Sequence, residues 1–354
     1  MFQLAGMVES SINEYLIFGY GVLLCDNRMV DCLAFTRAIM VYPIERKLVI
    51  AVASSALFDL SESDKVYRDS GEEKYREFQR ENIDLTLKKG VAFPFIRRFL
   101  NINNVFSEQE PVEVVLLSKN DPETGLRVFR SIQEYGLNIS RAAFMAGRAP
   151  YEFIPAFNVS LFLSANPRDV RRAIQAGFPA GTVMPSEIED DELDNELRVA
   201  FDFDGVIADD ESETVYKKSD LAAFNAHEKK HVDVPHNSGP LGDLFKKLAL
   251  IQKLERKMEL ENEGYERIIR SSIVTARGAP SHERVVTSLR EWGVRADDTF
   301  FLGGMEKHRI LEILKPHIFF DDQRSHLKSP AGKVPMVHIP FGIANESKPS
   351  SDSS

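Results

Sequence analysis

The sequence predicts an α/β protein, a parallel β-sheet with helices on both faces. Three observations carry that expectation. From residue 47 onward, short apolar β-branched runs alternate with longer amphipathic stretches, the pattern of βαβ units. The chain has 354 residues, 43% of them apolar and 28% charged, which suits a globular protein of two domains with a sizeable core. The order of elements also occurs twice along the chain.

Taken in order, residues 1–46 have no clear periodicity and read as an N-terminal extension. Its stretch "YLIFGYGVLLC" is too short to span a bilayer. The first basic side chain is Arg28, so no signal-peptide n-region is expected. Cys25 and Cys32 are the two cysteines, which predicts no disulfide framework and a cytoplasmic location. Strands are expected at "LVIAVAS", "VEVVLLS", "RAAFMA" and "VSLFLSA", then at "LRVAFDFD", "SSIVTA", "TFFLGG" and "HIFFDD". Helical patterns such as "TGLRVFRSIQEYG" and "SHERVVTSLREWG" lie between them. "PSEIEDDELDNE" reads as an acidic linker, and residues 344–354, "ANESKPSSDSS", as a disordered tail.

The two sets of strands align. Without a gap, Ala51 matches Ala200, Glu62 matches Glu211, Val66-Tyr67 match Val215-Tyr216, and Gly90 falls on Gly239. The register then shifts once and holds: Arg127 on Arg284, Ser131 on Ser288, Gly136 on Gly293, Phe162 on Phe319. Shared apolar strands would arise in any two βαβ segments, but polar identities in a constant register favour a duplication. The expected division is therefore a repeat at 47–185 and a second unit at 186–343.

The second unit carries the chemistry. Asp202 and Asp204 close its first strand, Thr275 its second, Lys307 follows its third, and Asp321-Asp322 close its fourth. In open parallel sheets, functional loops gather at the C-terminal strand ends, so these groups are expected in one crevice. They supply a nucleophile, a hydroxyl, a cation and hard oxygen ligands, a set suited to Mg²⁺-assisted phosphoryl transfer. A cation would also make two neighbouring carboxylates tolerable. The net charge of −10 argues against a nucleic-acid polymer as partner. In isolation each residue has an ordinary reading: Asp-x-Asp as a turn or cap, Thr275 as a strand end, Asp321-Asp322 as a cap. Lys315 or Lys328 could take the place of Lys307.

The order Asp-x-Asp, Thr, Lys, Asp-Asp resembles the haloacid dehalogenase-like phosphatase superfamily. "LRVAFDFDGVIADDESE", "HEKKH", "VTARGAPS", "LREWG" and "KPHIFFDDQ" are similar to the cytosolic 5′-nucleotidase type I family, as are "AVASSALFDL", "AFPFI" and "LFLSANPRDV" in the first half. The resemblance spans about residues 47–343 and implies a haloacid dehalogenase-like sheet with a helical cap insert at about 207–270. It implies hydrolysis of nucleoside 5′-monophosphates, AMP- or IMP-like, to nucleoside and phosphate. Asp202 would be the nucleophile, Asp204 the proton donor and then the base, Thr275 and Lys307 the phosphoryl ligands. Mg²⁺ would be held by Asp202, the Asp204 carbonyl, Asp321 and Asp322. Candidates for nucleotide contacts are Phe203, Phe224, His227, Asn237 and Arg277, with Phe203 standing where the family often has a small residue. Family members are often oligomeric, so the resemblance allows a homo-oligomer without fixing a stoichiometry, and no membrane partner is expected. A phosphatase for another small phosphomonoester, or a nucleotide-binding regulator with a vestigial site, remain the alternatives.

"HEKKH" formally fits the H-E-x-x-H zinc pattern, but Lys229 and Lys230 stand where such a helix is usually apolar. A solvated face or a cap contact is expected instead. In the first unit, Ala53, Ser55, Pro150, Ser164 and Ala165 occupy the places of Asp202, Asp204, Lys307, Asp321 and Asp322. Only Ser118 keeps a hydroxyl, at the place of Thr275. The first unit is therefore expected to be a degenerate, non-catalytic repeat that shapes the cleft or an effector site.

Overall fold

A computed structural model of the chain describes residues 44, 47–187, 190–327 and 334–346. The expected extension, Ile44 apart, and residues 347–354 of the expected tail lie outside the described residues. So does Lys328. Ten strands form one sheet: β1 (Leu48–Val52), β2 (Val112–Ser118), β3 (Arg141–Phe144), β4 (Val159–Ser164), β5 (Ala180–Val183), β6 (Leu197–Phe201), β7 (Ile269–Thr275), β8 (Asp298–Phe301), β9 (Ile318–Asp321) and β10 (Met336–His338). Every strand read from the sequence is present; β5 and β10 are additional.

The helices in the first half are α1 (Ser54–Leu57), α2 (Ser61–Glu81), α3 (Phe93–Val105), α4 (Leu126–Glu134) and α5 (Pro167–Gln175). Those in the second are α6 (Glu211–Lys218), α7 (Leu221–Lys230), α8 (Gly242–Glu261), α9 (His282–Glu291) and α10 (His308–Leu314). Local chemistry sets several starts. Pro167 opens α5 while the Asn166 side chain accepts from the Arg168 amide at 3.0 Å, and Asp220 caps α7 through the Ala223 amide at 2.8 Å.

The strand order is β3-β2-β1-β4-β5-β10-β9-β6-β7-β8. Both halves thus carry one order, first strand in the middle, read outward from the β5–β10 junction. Their registers agree as well. Ala51 pairs with Phe162 as Ala200 pairs with Phe319, and Ser118 pairs with Phe144 as Thr275 pairs with Phe301. All strand pairs are parallel except β5–β10, which is antiparallel through Val337↔Val183 and His338↔Thr182. That single reversal has a functional consequence: the C-terminal strand ends of the two halves face opposite ends of the sheet.

The inner strands are buried along most of their length, as parallel strands covered on both faces must be, while the edge strands β3 and β8 are half-buried. Side chains alternate between faces. Leu48, Ile50 and Val52 enter one apolar cluster with Leu116, Phe201, Ile273 and Phe320, which runs beneath both halves. Val49 and Ala51 face a cluster confined to the first half, and Ala200, Val274 and Phe319 one confined to the second. Helices cross the junction too: α3 packs on β2 and β6, and α8 on β1, β4 and β7. The α8 sequence, read as part of a cap, instead buries Leu244, Phe245, Leu248 and Ile251 against the sheet. Apart from the buried Glu255, its charges are exposed or half-exposed on the outer face of an amphipathic helix.

Candidate active site

The β6 run ends at Phe201, and the Asp202 amide still bonds to the Phe320 carbonyl at 2.8 Å, so Asp202 is fixed as an extension of the strand. The chain then turns sharply through Phe203–Ile207. Gly205 sits at φ 69°, and a Cβ there would lie 2.8 Å from the Asp322 carboxyl carbon. Glycine permits this approach and the left-handed backbone together. The turn brings the ends of β6 and β9 together.

Three of the expected groups meet there. Lys307, at the start of α10, places Nζ 2.7 Å from Asp202 Oδ2 and 2.7 Å from Asp321 Oδ2. All three side chains are buried. Asp202 Oδ1 accepts from the Phe203 amide at 2.7 Å, and Asp321 Oδ1 from the Gln323 amide at 2.7 Å. Thr275, at the end of β7, accepts from the Arg277 amide at 3.2 Å through Oγ1, which leaves its hydroxyl hydrogen free to donate. Lys315, the alternative cation, is exposed at the far end of α10.

The electrostatics of the cluster favour binding of a cation. Burial, only partly offset by Lys307, pushes the Asp202 carboxyl up to about 7, with Asp321 and Asp204 adding to the rise. Burial and the charges of Asp202 and Asp321 push Asp322 up to about 9. Burial would raise Asp321 and depress Lys307, but their mutual attraction wins, with help from His326 and Asp202 respectively. Asp322 Oδ1 is buried with no hydrogen-bond partner. Asp202, Asp321 and His326 each offer a ligand atom, all within 4.8 Å of one another. An orphaned carboxylate oxygen beside this cluster fits a divalent cation with hard oxygen ligands. His326, whose Nδ1 lies 3.1 Å from Asp321 Oδ2, is an addition to the residues read from the sequence.

Asp204 leaves the strand differently. Arg277 grips it with two bonds, Nε to Oδ2 at 2.7 Å and Nη2 to Oδ1 at 2.6 Å. Arg277 is therefore a partner of Asp204, its cation lying 5.4 Å from the Phe203 ring and 5.3 Å from that of Phe224. Phe203 has no surface open to a ligand, being wholly buried against His236 and Trp292 as well. Phe224 is nearly as buried. His227 bonds to Glu211 at 3.0 Å and Asn237 to Asp209 at 2.9 Å. The "HEKKH" string divides accordingly: Lys229 and Lys230 are exposed, whereas Glu228 is completely buried. Burial would raise the Glu228 carboxyl, but His236 and Arg277 outweigh it and hold it far below its ordinary value.

A two-carboxylate turn, a lysine and a hydroxyl thus lie at the C-terminal strand ends of one half-sheet, the donor set expected from the sequence. Comparison with known proteins agrees with this geometry. The 5′-nucleotidase family model matches residues 40–346. The chain belongs to the 5′-nucleotidase family. Within that family it is similar to human cytosolic 5′-nucleotidase 1B, with 35% identity over 287 residues, 79% of this chain and 47% of that protein. The chain thus spans about half the length of that relative. No solved structure matches it with significance. Family membership accounts for most of the chain, including the half that lacks the acidic cluster. Among the described residues, no helix is long and apolar enough to cross a membrane.

Proposed function

We propose that the chain is a Mg²⁺-dependent 5′-nucleotidase that hydrolyses nucleoside 5′-monophosphates, AMP- or IMP-like, through an aspartyl-phosphate on Asp202. The observation that carries this reading is the placement of Lys307 between Asp202 and Asp321, with Asp204 two residues along the same turn. Family membership supports it. An oxygen of Asp202 attacks phosphorus and the bond to the 5′-oxygen breaks, with Asp204 giving that oxygen a proton. Water then attacks the aspartyl-phosphate, Asp204 takes its proton, and Asp202 leaves as carboxylate. Lys307 and the Thr275 hydroxyl stabilise charge on the transferring oxygens. Bound Mg²⁺, held by Asp202, Asp321, Asp322 and the Asp204 carbonyl, would add Lewis-acid screening of the same oxygens.

Under this reading the cap narrows to α6, α7 and the loop to about residue 240, because α8 belongs to the layer covering the sheet. The first half is a degenerate repeat, an idea supported by the shared strand order and register. Its own strand ends face away from the acidic cluster, so it serves as scaffold to the second half rather than as a wall of its cleft. A cavity of about 530 Å³, lined by Ser55, Asp59, Lys89, Gly90, Ala165 and Met184, lies at its strand ends. The cytosolic relative makes the cytosol the proposed location.

The test is phosphate release from a panel of nucleoside 5′-monophosphates and sugar phosphates, with Mg²⁺ or with EDTA. Mg²⁺-dependent release selective for nucleotides is expected. Equal release from sugar phosphates would move the activity to a general phosphomonoesterase, and no release from any substrate would leave a binding role.

A further inference from the structure

We propose that Glu228 is a positioning residue for Asp204, acting through Arg277, so that the buried glutamate of "HEKKH" aims the proton-transfer group at the leaving oxygen. The inference rests on the reading of Asp204 as the acid–base group.

Four of the five N–H groups of the Arg277 guanidinium are bonded to oxygen acceptors. Nε and one hydrogen of Nη2 go to Asp204. Nη1 serves Glu228 Oε2 and the Ser281 carbonyl, the latter at 3.3 Å. The other hydrogen of Nη2 faces His236 Nε2 at 3.0 Å. Ser288 Oγ donates to the Arg284 carbonyl, so His236 Nδ1 donates to Ser288, which fixes the ring with Nε2 among Arg277, Glu228 and Ser212. Glu228 is fixed in turn: Oε1 accepts from Ser212 Oγ at 2.8 Å and Arg284 Nη1 at 2.9 Å. A planar guanidinium held on one edge by a buried carboxylate presents its other edge in one orientation. Asp204 receives that edge at the cleft end of the chain of bonds, and 14% of its side chain is open to solvent, while those of Glu228 and His236 are closed.

The first half supplies an independent observation. There the scaffold bonds recur: Arg127 donates to the Leu85 carbonyl at 2.8 Å as Arg284 does to Val234 at 2.9 Å. Ser131 accepts from the Leu87 amide at 2.9 Å as Ser288 does from His236. Gln79 meets Arg127 where Glu228 meets Arg284, and Asn120 follows Ser118 as Arg277 follows Thr275. So the half that lacks Asp204, having Ser55, also lacks the glutamate and the arginine, yet keeps the bonds around them. The Glu228–Arg277 pair accompanies the acid–base carboxylate, not the fold.

The test uses Glu228→Gln in the full chain, a change the first half already accommodates as Gln79. Two substrates are compared: a nucleoside 5′-monophosphate, and its analogue with sulfur bridging C5′ and phosphorus, whose thiolate leaves without a proton. Asp204 also serves the second step, which both substrates share, so the comparison is made on kcat/KM, which reports formation of the aspartyl-phosphate: a fall of about 10- to 100-fold is expected on the oxygen substrate and less than about threefold on the sulfur substrate. Glu228→Asp, which keeps the charge, should recover part of the oxygen rate. Equal losses on both substrates, or no loss on either, would overturn the proposal. Failure of the wild-type protein to cleave the nucleotide would instead overturn the nucleotidase reading beneath it.

Discussion

Replacing Gly205 with alanine should injure stability and metal use together. The residue lies at φ 69°, where a side chain costs about 1–2 kcal/mol. Its new Cβ would meet Asp322 Cγ and Oδ2 at 2.8 Å. Asp322 has little room to retreat, because its carbonyl accepts from Asn345 at 2.9 Å and lies 3.1 Å from His338 Nε2. Overpacking of this kind adds about 1–3 kcal/mol, for a total of about 2–5 kcal/mol. Urea unfolding is convenient to follow because the single tryptophan, Trp292, stacks on Phe203 beside the site. With a slope of about 3 kcal/mol/M for a chain of this size, the midpoint should fall by roughly 1 M. Gly293→Ala is the control. Its φ of 67° is similar but nothing lies within 4 Å of the added Cβ, so only the backbone cost of about 1–2 kcal/mol should appear. Gly205→Ala should also need more Mg²⁺ for half-maximal phosphate release. If both variants unfold at one midpoint and Gly205→Ala keeps the wild-type Mg²⁺ requirement, the contact with Asp322 has no energetic weight.

Lys307→Met should cost about 3–5 kcal/mol in metal-free buffer, since it strands Asp202 and Asp321 in the interior; chemical denaturation measures this, and a loss under 1 kcal/mol would contradict it. The same variant should lose at least about 100-fold in phosphate release. His317 gives the pH prediction. Burial and the nearby Arg98 and Arg198 cations lower its pKa from 6.5 to about 3. Its stabilising contribution is therefore full above pH 6.5 and is lost progressively as pH falls toward 3, because the unfolded chain takes the proton first. Between pH 6.5 and 4 the wild-type protein should lose up to about 3 kcal/mol more than His317→Gln, read from unfolding midpoints in a pH series; parallel curves would refute it.

The strands that a local pattern could reveal were those with five or more apolar residues in a run or a matching partner in the other half. β5 and β10 escaped because they are short, flanked by prolines, and stabilised by pairing with each other across the junction. No local sequence signal encodes that partnership. It also reverses one half relative to the other, so the expectation that the first half shapes the cleft does not follow from its similarity. The α8 pattern misled for a different reason: exposed charges dominate its composition, while the four apolar positions that decide its location recur at helical spacing. The tail was read as starting too early, since Asn345 is bonded to Asp322 and His338.

Within the site, Asp202, Lys307 and Asp321 were legible because strand ends in one half-sheet converge by topology alone. Asp322 was legible for the same reason, and its orphaned oxygen adds a reason to count it among metal ligands. Partners set by side-chain reach were not legible. Arg277 was taken for a nucleotide contact when its guanidinium faces Asp204, and Glu228 was hidden between residues whose charges face solvent. One signal was available for it: Glu228 and Gln79 occupy the same place in the two halves. His326 had no such counterpart.

Asp202→Asn offers the most direct measurement, because the substitution keeps the shape of the turn and removes the nucleophilic carboxylate. Phosphate release from a nucleoside 5′-monophosphate would be compared in the wild-type and variant proteins with Mg²⁺ present, after matching their melting temperatures. Release by the wild-type protein that disappears in Asp202→Asn is the expected result. Substantial release by a folded Asp202→Asn protein would contradict the covalent mechanism and the assignment of Asp202.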